Sequence, residues 1–204
     1  MKKFAFFIVP TLLLFIAFRF PAASISDKER KDAVDLLTKT EQGVFDAVKG
    51  LNEAQLKYRE APDRWNAEEC VKHIAVTEQF LWQLVEGTLK QAPNPDKRGE
   101  IKKTDEQLIA MIEDRSFKVK TSPQLEPVNS PYKTLEEALA SFKSSREKLI
   151  EYVKSTNEDL RNHVATIKPG SFDCYQMILF IGAHSNRHTQ QIDEVKAGAA
   201  YPKN

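Results

Sequence analysis

Four long segments of the chain place apolar residues three and four positions apart, and this spacing restricts the fold more than any other feature. It gathers the apolar side chains on one face of an α-helix, so each segment predicts an amphipathic helix. Strand patterns are scarce, and most glycines and prolines fall between the segments. The predicted helices span about residues 26–49, begin at the N-caps Asn66 and Thr134, and run from an N-cap at Ser171 to Gly198.

One connection between these segments is much longer than a helical hairpin needs. After the second segment come a turn and a short helix, capped by Thr104 and Gln107, that ends near Asp114. Residues 116–133 follow with three prolines and no helical pattern. A connection of this length favours a crossover over a tight hairpin. The sequence therefore predicts an all-α protein, a four-helix bundle with one long crossover.

Three of the four histidines fall on the apolar faces of two predicted helices. His184 and His188 stand four residues apart in the fourth segment, so both rings project from the same side of the helix. His73 lies on the apolar face of the second segment. If these helices run antiparallel, the three imidazoles lie at the same depth and could bind a divalent metal ion. A single inward histidine is more often a hydrogen-bonded core residue, which is the alternative interpretation.

Two stretches around these histidines resemble the DinB-like superfamily of four-helix metalloenzymes. They are YREAPDRWNAEECVKHIAVTEQF, residues 58–80, and GAHSNRHTQQI, residues 182–192. The resemblance covers nearly all of the mature chain and implies an up-down-down-up bundle, with the crossover between helices two and three. It also implies that His73, His184 and His188 bind the metal. Three imidazoles suit zinc, nickel or iron, and manganese less well.

Four further residues are candidates for roles near this site. Gln191, one turn beyond His188, and Glu78 could orient the imidazoles; the alternative for both is a surface position, which we favour for Glu78. Trp65 could form a wall of the site mouth, although an aromatic residue before a helix is more often a packing residue. His163 is expected in a loop near one end of the bundle, with contact to substrate as the alternative.

The predicted ligand set indicates a metal-dependent enzyme. Three neutral histidines leave the charge of a divalent ion uncompensated, so the ion can acidify water for nucleophilic attack. The resemblance implies hydrolase-like chemistry or a thiol-dependent transferase, acting on a small molecule that the sequence does not identify. The second hypothesis is a non-catalytic bundle that binds a metal or another ligand, because no general base, Ser-His-Asp set, phosphate loop or H-E-x-x-H motif is evident. An open coordination position would distinguish the enzyme from a closed structural site.

The first 24 residues have the pattern of a signal peptide. Lys2 and Lys3 precede an apolar run over Phe4–Phe18, and small residues including Ala22 and Ser24 follow. We therefore predict a leader over residues 1–24 and a domain over residues 25–204, exported to the periplasm or the medium. The alternative is an uncleaved N-terminal membrane anchor, for which the run is shorter than the roughly 20 residues of a spanning helix. Because an exported compartment is oxidising, hydrolysis is favoured over thiol chemistry.

The charge of the chain limits its partners. The sequence contains 30 basic and 29 acidic residues, of which 27 and 29 remain without the predicted leader. A near-neutral domain without a basic patch is not expected to bind nucleic acid. Membrane contact is expected only if the leader stays attached, and the family resemblance makes a homodimer plausible.

The two cysteines are not expected to form a disulfide. Cys70 lies three residues before His73, and Cys174 lies ten residues before His184. In antiparallel helices these offsets point in opposite directions and separate the two Cα atoms by roughly 20 Å, whereas a disulfide needs less than about 7 Å. We expect two free and buried thiols. Cys70 could be a fourth metal ligand, but a small core residue is the favoured interpretation.

Overall fold

The computed structural model describes residues 25–168 and 170–203. The leader predicted for residues 1–24 lies outside this part of the chain, so its cleavage stays a prediction. Among the helices of the described residues, none has the length and apolar character needed to cross a membrane.

Four long helices form the bundle, as the apolar spacing predicts. Two short α-helices, a small β-hairpin and three short 3-10 helices (Pro95–Glu100, Pro123–Leu125 and Pro127–Asn129) occupy the connections between them in the described residues. In chain order the α-helices and strands are α1 (Asp27–Val48), α2 (Glu53–Lys57), α3 (Ala67–Leu89), α4 (Asp105–Glu113), α5 (Leu135–Ser155), β1 (Val164–Ile167), β2 (Gly170–Asp173) and α6 (Cys174–Lys196).

The first and last long helices run in the same direction. At their starts, the Tyr175 hydroxyl donates to the carbonyl of Glu29 over 2.7 Å. At their ends, the Lys196 ammonium lies 3.3 Å from the carbonyl of Ala47. Side chains at both ends of α6 therefore reach the matching ends of α1, so the two helices are parallel.

The two middle helices run in the opposite direction to this pair. Arg30, in the first turn of α1, donates to the carbonyl of Thr156 just after the end of α5. Lys72, early in α3, donates to the carbonyl of Lys133 just before the start of α5, so α3 and α5 are parallel. The order is therefore up-down-down-up, and the long crossover, residues 90–134, lies between the second and third long helices. This topology was predicted and is confirmed.

Helix starts follow the capping residues at three of the four long helices. Ser26, Asn66 and Thr134 each accept a hydrogen bond from the backbone N–H three residues later. The predicted N-cap Ser171 is wrong. Asp173 caps α6 instead, accepting from the N–H of Gln176.

The reason for this difference is the β-hairpin that precedes α6. Strands β1 and β2 pair antiparallel with Val164 opposite Asp173, so Ser171 is part of a strand. Its hydroxyl lies 2.9 Å from that of Thr166 across the hairpin. Strands of four residues are too short to show a reliable alternating pattern in sequence. Helix α6 ends at Lys196, two residues before the predicted stop at Gly198.

The interface between α1 and α6 depends on one glycine. A Cβ atom at Gly182 would lie 2.9 Å from the Cγ atom of Leu36, closer than real Cβ contacts allow. Glycine at this position therefore lets α1 approach the part of α6 that precedes His184.

Both cysteines are free and buried, as predicted. Cys70 packs in an apolar cluster with Ile74 and Phe142, and Cys174 in a second cluster toward the start of α6. Burial raises the pKa of both thiols, that of Cys174 to about 12. Neither thiol is therefore a reactive group at neutral pH.

Candidate metal centre

The structure brings His73, His184 and His188 together, as the sequence predicts. His73 lies in the second turn of α3, and the other two lie on successive turns of α6. The Nε2 atom of His184 is 3.2 Å from Nε2 of His73 and 3.1 Å from Nε2 of His188. One nitrogen from each ring lies within 4.8 Å of the other two. Three potential ligand atoms therefore converge from two antiparallel helices.

The spacing of these nitrogens fits a transition-metal ion. With metal–nitrogen bonds of about 2.0–2.1 Å, two ligands are about 3.4 Å apart in tetrahedral geometry and about 2.9 Å apart in octahedral geometry. The two Nε2–Nε2 distances of 3.1 and 3.2 Å fall between these values. Nitrogen lone pairs this close repel each other unless a proton or a cation lies between them. The residues present therefore fit a divalent ion.

Hydrogen bonds at the far side of two rings direct their Nε2 atoms toward the centre. The Nδ1 atom of His73 lies 2.7 Å from the carbonyl oxygen of Leu125, which can only accept. The Nδ1 atom of His188 lies 3.0 Å from Oε1 of Gln191. A proton on each Nδ1 satisfies both contacts and leaves Nε2 with a free lone pair, the tautomer that binds metal. The orienting role considered for Gln191 is the one its geometry supports.

The three rings are neutral at physiological pH. Burial lowers the pKa of His73 to about 4, partly offset by its bond to Leu125. The pKa values of His184 and His188 lie well below their ordinary range because of burial and because neighbouring histidines and arginines disfavour a further positive charge. Neutral imidazole is the form that coordinates a metal ion.

Aromatic rings surround the histidine cluster. The half-buried ring of Trp65 lies against two of its members, with ring centroids 4.7 Å from His73 and 5.8 Å from His188. Phe180, one turn before His184, stacks near its ring at 6.2 Å. The first of the two interpretations of Trp65, as a wall of the site, is thus the one that matches its position.

The cluster could supply three ligands to an ion. His73 and His188 are 3% and 7% exposed, whereas His184 is half-buried. Across residues 25–168 and 170–203, no carboxylate or thiol joins these histidines in a group that could hold a metal. Cys70 is therefore a core residue and not a fourth ligand. A four- to six-coordinate ion held here would keep one or more positions for water or substrate.

Glu78 is not the surface residue that we expected. Its side chain is 2% exposed and forms a bidentate ion pair with the buried Arg146, with N–O distances of 2.7 and 2.6 Å. Arg146 also donates to the hydroxyls of Thr40 and Ser185. Glu78 is therefore bound to a guanidinium between the helices and does not contact a histidine ring.

His163 is a loop residue remote from the metal centre. It immediately precedes β1, and its ring nitrogens lie 2.8 Å from the carbonyl of Asp159 and 3.1 Å from that of Gln91. Both nitrogens thus face backbone carbonyls, and the nitrogen that carries the proton donates to its carbonyl, so the ring lies between this loop and the end of α3. The expected loop position is confirmed, and these contacts favour a structural role over contact with substrate.

Sequence reasoning missed three residues in and around the centre. Arg146 occupies an inward position of α5, four residues after Phe142 and three before Leu149, and a charge at such a position was a usable signal. Leu125 acts through its backbone carbonyl, which no side-chain pattern reveals. Arg115 approaches Gln191 from the crossover, a contact that depends on tertiary structure alone.

Comparisons with known proteins agree with this fold. The protein YuaE of Bacillus subtilis (strain 168) is 24% identical over 164 residues, which cover 74% of this chain and 90% of YuaE. The solved structure of YfiT from Bacillus subtilis, described as a probable metal-dependent hydrolase with an unusual four-helix bundle topology, matches with a TM-score of 0.59 at 13% identity. That match covers 90% of this chain and 94% of YfiT. The family model of the DinB superfamily matches residues 36–192, so the chain belongs to the DinB superfamily.

Proposed function

We propose that the protein is a divalent-metal-dependent enzyme with hydrolase-like chemistry, and that His73, His184 and His188 hold the ion. The observation that carries this proposal is the convergence of three Nε2 atoms with no acidic residue in the cluster. A structural zinc site closes all four positions with protein ligands, usually including cysteines, whereas a catalytic site keeps one open. The three-histidine set corresponds to the second kind.

The neutral ligands determine what chemistry an ion could supply. A divalent ion held by three imidazoles keeps its full charge, so it can polarise a substrate oxygen and activate water as a nucleophile. The chain itself fixes the ligand geometry, through the Leu125 carbonyl at His73 and Gln191 at His188. Trp65 and Phe180 exclude water from the sides of the rings that they cover, which strengthens electrostatic interactions at the centre.

The donor set narrows the choice of metal without fixing it. Imidazole nitrogen suits zinc, nickel and iron, while manganese prefers oxygen ligands and is disfavoured. Because each ligand is a neutral ring, metal binding is expected to release few protons at neutral pH. Zinc, nickel and iron are the cofactors to test first.

Hydrolysis is favoured over thiol transfer because of the predicted export. The leader pattern of residues 1–24 indicates an oxidising compartment, where a thiol co-substrate is poorly maintained. The description of YfiT as a probable metal-dependent hydrolase supports the same choice. N-terminal sequencing of the protein from its native host tests the export: a start near Ser24 or Ile25 is expected, and an intact Met1 in the membrane fraction would indicate an anchor instead.

The partners that we propose follow from charge and site size. The substrate is a small molecule, since the ligand set lies within the bundle and not on an extended surface. A domain of nearly balanced charge is not expected to bind nucleic acid. The family resemblance makes a homodimer plausible, and sedimentation of the purified protein would test it.

A non-catalytic metal-binding bundle is the second candidate, and one observation favours it. Two of the three histidines are almost fully buried, with Leu125 and Trp65 against their rings. A site that remained covered would carry or sense an ion without turning over a substrate. Exchange of a small ligand at the metal distinguishes the two, because an enzyme must admit one.

The test uses the full chain expressed with its leader and purified without chelators. Elemental analysis should find about one transition-metal ion per chain. The loaded protein is then assayed against a panel of esters, amides, phosphoesters and thiol-transfer substrates. His184→Ala should lose both the metal and any activity, whereas His163→Gln, which removes a histidine outside the centre, should keep both. Azide, a small anionic ligand, is also added to the cobalt-substituted protein, whose visible spectrum shifts if azide reaches the metal. One metal ion per chain, with no turnover and no such shift, would favour the non-catalytic candidate.

A further inference from the structure

Gln191 lies between a candidate metal ligand and a charged residue of the crossover. Its Oε1 atom is 3.0 Å from Nδ1 of His188 and 3.4 Å from Nη1 of Arg115. One amide oxygen thus faces two nitrogens, and a proton on each of them makes both contacts favourable. The amide group of Gln191 consequently couples the orientation of His188 to the position of Arg115.

The orientation of this amide determines which nitrogen of His188 carries the proton. With Oε1 toward the ring, Nδ1 must be the donor, and Nε2 keeps its lone pair for the metal centre. With the amide rotated by half a turn, its NH₂ group would donate to Nδ1, and the ring proton would move to Nε2. In that second tautomer Nε2 could instead donate to His184, whose Nε2 lies 3.1 Å away, and His188 could not bind a metal ion through Nε2.

Arg115 distinguishes between these two orientations because a guanidinium has donors and no acceptor. The rotated amide would place its own N–H groups against the Nη1 group of Arg115, donor against donor. Arg115 itself is fixed by Glu194, to which it donates through Nε over 3.0 Å and through Nη2 over 2.7 Å. These two bonds to Glu194 leave the Nη1 group of Arg115 directed at Gln191.

Hydrogen bonds from α6 hold the crossover in place around Arg115. Arg187, on α6, donates to the backbone carbonyls of Ile112 and Phe117 over 3.1 and 2.5 Å, on either side of Arg115. Further along, the same crossover provides the Leu125 carbonyl that faces Nδ1 of His73. The connection between α3 and α5 therefore contacts two of the three rings, one directly and one through Gln191.

We infer that Arg115 is a positioning residue of the metal centre: it selects, through the Gln191 amide, the His188 tautomer whose Nε2 atom can bind a metal ion. The role of this tautomer in metal binding rests on the proposed function, whereas the tautomer itself can be measured in the metal-free protein. Arg115 does not contact the centre itself. The fraction of His188 in the Nδ1–H form multiplies the intrinsic affinity, so the metal Kd should rise as the inverse of that fraction.

The first test measures the tautomer directly in the metal-free full chain at pH 8. Long-range proton–nitrogen NMR spectra distinguish a ring protonated at Nδ1 from one protonated at Nε2. In the unsubstituted protein His188 should be mainly Nδ1–H. Arg115→Met should shift a measurable fraction to Nε2–H, while Arg115→Lys, which keeps a cationic donor, should preserve Nδ1–H. Arg98→Met is the matched control, because Arg98 also pairs with a carboxylate, that of Asp173, and lies near the other end of α6.

A double variant separates tautomer selection from a general loss of structure. Ionised glutamate has acceptors only, so Arg115→Met with Gln191→Glu should restore the Nδ1–H form even without the arginine. Zinc titration with a competing chelator should give, for each variant, a Kd that follows the inverse of the measured Nδ1–H fraction. His188 mainly Nε2–H in the unsubstituted protein, or Nδ1–H unchanged in Arg115→Met, would overturn the inference. Absence of zinc, nickel and iron binding in the unsubstituted protein would contradict the proposed function and leave the tautomer result standing.

Discussion

Two groups of buried polar side chains lie near each other inside the bundle, and they meet their electrostatic requirements in different ways. Glu78 and Arg146 neutralise each other through a bidentate pair, and neighbouring hydroxyls take part in the remaining hydrogen bonds. The histidine cluster lies close to this pair, since His73 is five residues before Glu78 and His184 is next to Ser185. It contains no carboxylate to balance a positive charge, and it has too few protons to satisfy every Nε2 lone pair.

The difference indicates what each group is for. An ion pair whose donors and acceptors are all satisfied contributes a fixed arrangement of the four helices, and it needs nothing from outside. Three neutral rings with Nε2 atoms 3.1 and 3.2 Å apart cannot share one Nε2 proton among all their lone pairs, and a cation between them would satisfy all three. Breaking the first group should therefore cost the most stability, whereas metal binding should depend on the second.

The largest expected effect comes from breaking the ion pair. Arg146→Met leaves the carboxylate of Glu78 buried without a partner, which should lower the free energy of unfolding by about 3–5 kcal/mol. The folded fraction should still bind one metal ion per chain. Denaturant unfolding measures the first quantity and elemental analysis the second.

Lys143→Met is the control, since Lys143 forms an exposed pair with Glu147 on the same helix. Its cost should stay below about 1 kcal/mol. An Arg146→Met protein as stable as the control would contradict the structural role of the pair.

A smaller effect is expected from acid in the metal-free protein. The pKa of His73 in the folded state, about 4, lies below its value near 6.5 in the unfolded chain. The unfolded state therefore binds the proton first, so stability is full above pH 6.5 and falls as the pH drops toward 4. His73 alone accounts for about 3 kcal/mol over that range. The pKa values of His184 and His188 are lowered in the same direction.

Chemical unfolding at pH 7.5 and pH 5 measures this dependence. Carboxylates also titrate in acid, so the comparison is with His73→Gln, whose loss of stability between the two pH values should be smaller. Equal losses in the two proteins would mean that His73 is not buried in neutral form.

Metal loading should change the free energy of unfolding by a similar or smaller amount. An ion that binds only the folded state stabilises it by about 2.7 kcal/mol when its free concentration is 100 times the Kd. Adding EDTA to the loaded protein should therefore lower the melting temperature, and zinc should restore it. In Arg146→Met, zinc should raise the melting temperature by the same amount from a lower metal-free value, because the Glu78–Arg146 pair and the histidine cluster are separate groups. If chelation leaves the melting temperature of the unsubstituted protein unchanged, metal binding is not linked to the fold.

The smallest effect is expected at Cys70, which marks the boundary between the centre and the core. Cys70→Ala removes a small buried group one turn from His73 and should cost about 1 kcal/mol. Metal affinity should not change, because the thiol is not part of the ligand cluster. Zinc titration of the variant measures this, and a clear loss of affinity would restore Cys70 as a fourth ligand.

The sequence was sufficient for the parts of the molecule that follow local rules. Helical periodicity and the capping residues Asn66 and Thr134 predicted the long helices, and four-residue spacing placed His184 and His188 on one face. The shared depth of His73 followed once α3 and α6 were taken as antiparallel. These predictions succeed because helix geometry is determined by nearest neighbours along the chain.

The parts that failed depend on contacts between distant residues. The β-hairpin before α6 consists of two four-residue strands that are stable only against the rest of the domain, so Ser171 was mistaken for a cap. Glu78 was expected at the surface because carboxylates usually are, and its partner Arg146 is 68 residues away. The Leu125 carbonyl carries no side-chain signal at all.

Titration of zinc into the metal-free full chain by calorimetry tests the central claim most directly. The structure predicts one site per chain, and X-ray absorption of the loaded protein should show about three imidazole nitrogens at about 2.0–2.1 Å. His184→Ala should abolish this site, while His163→Gln, which leaves the cluster intact, should retain it. Zinc bound equally by His184→Ala and the unsubstituted protein, or no stoichiometric site in either, would contradict the assignment of His73, His184 and His188 as a metal centre.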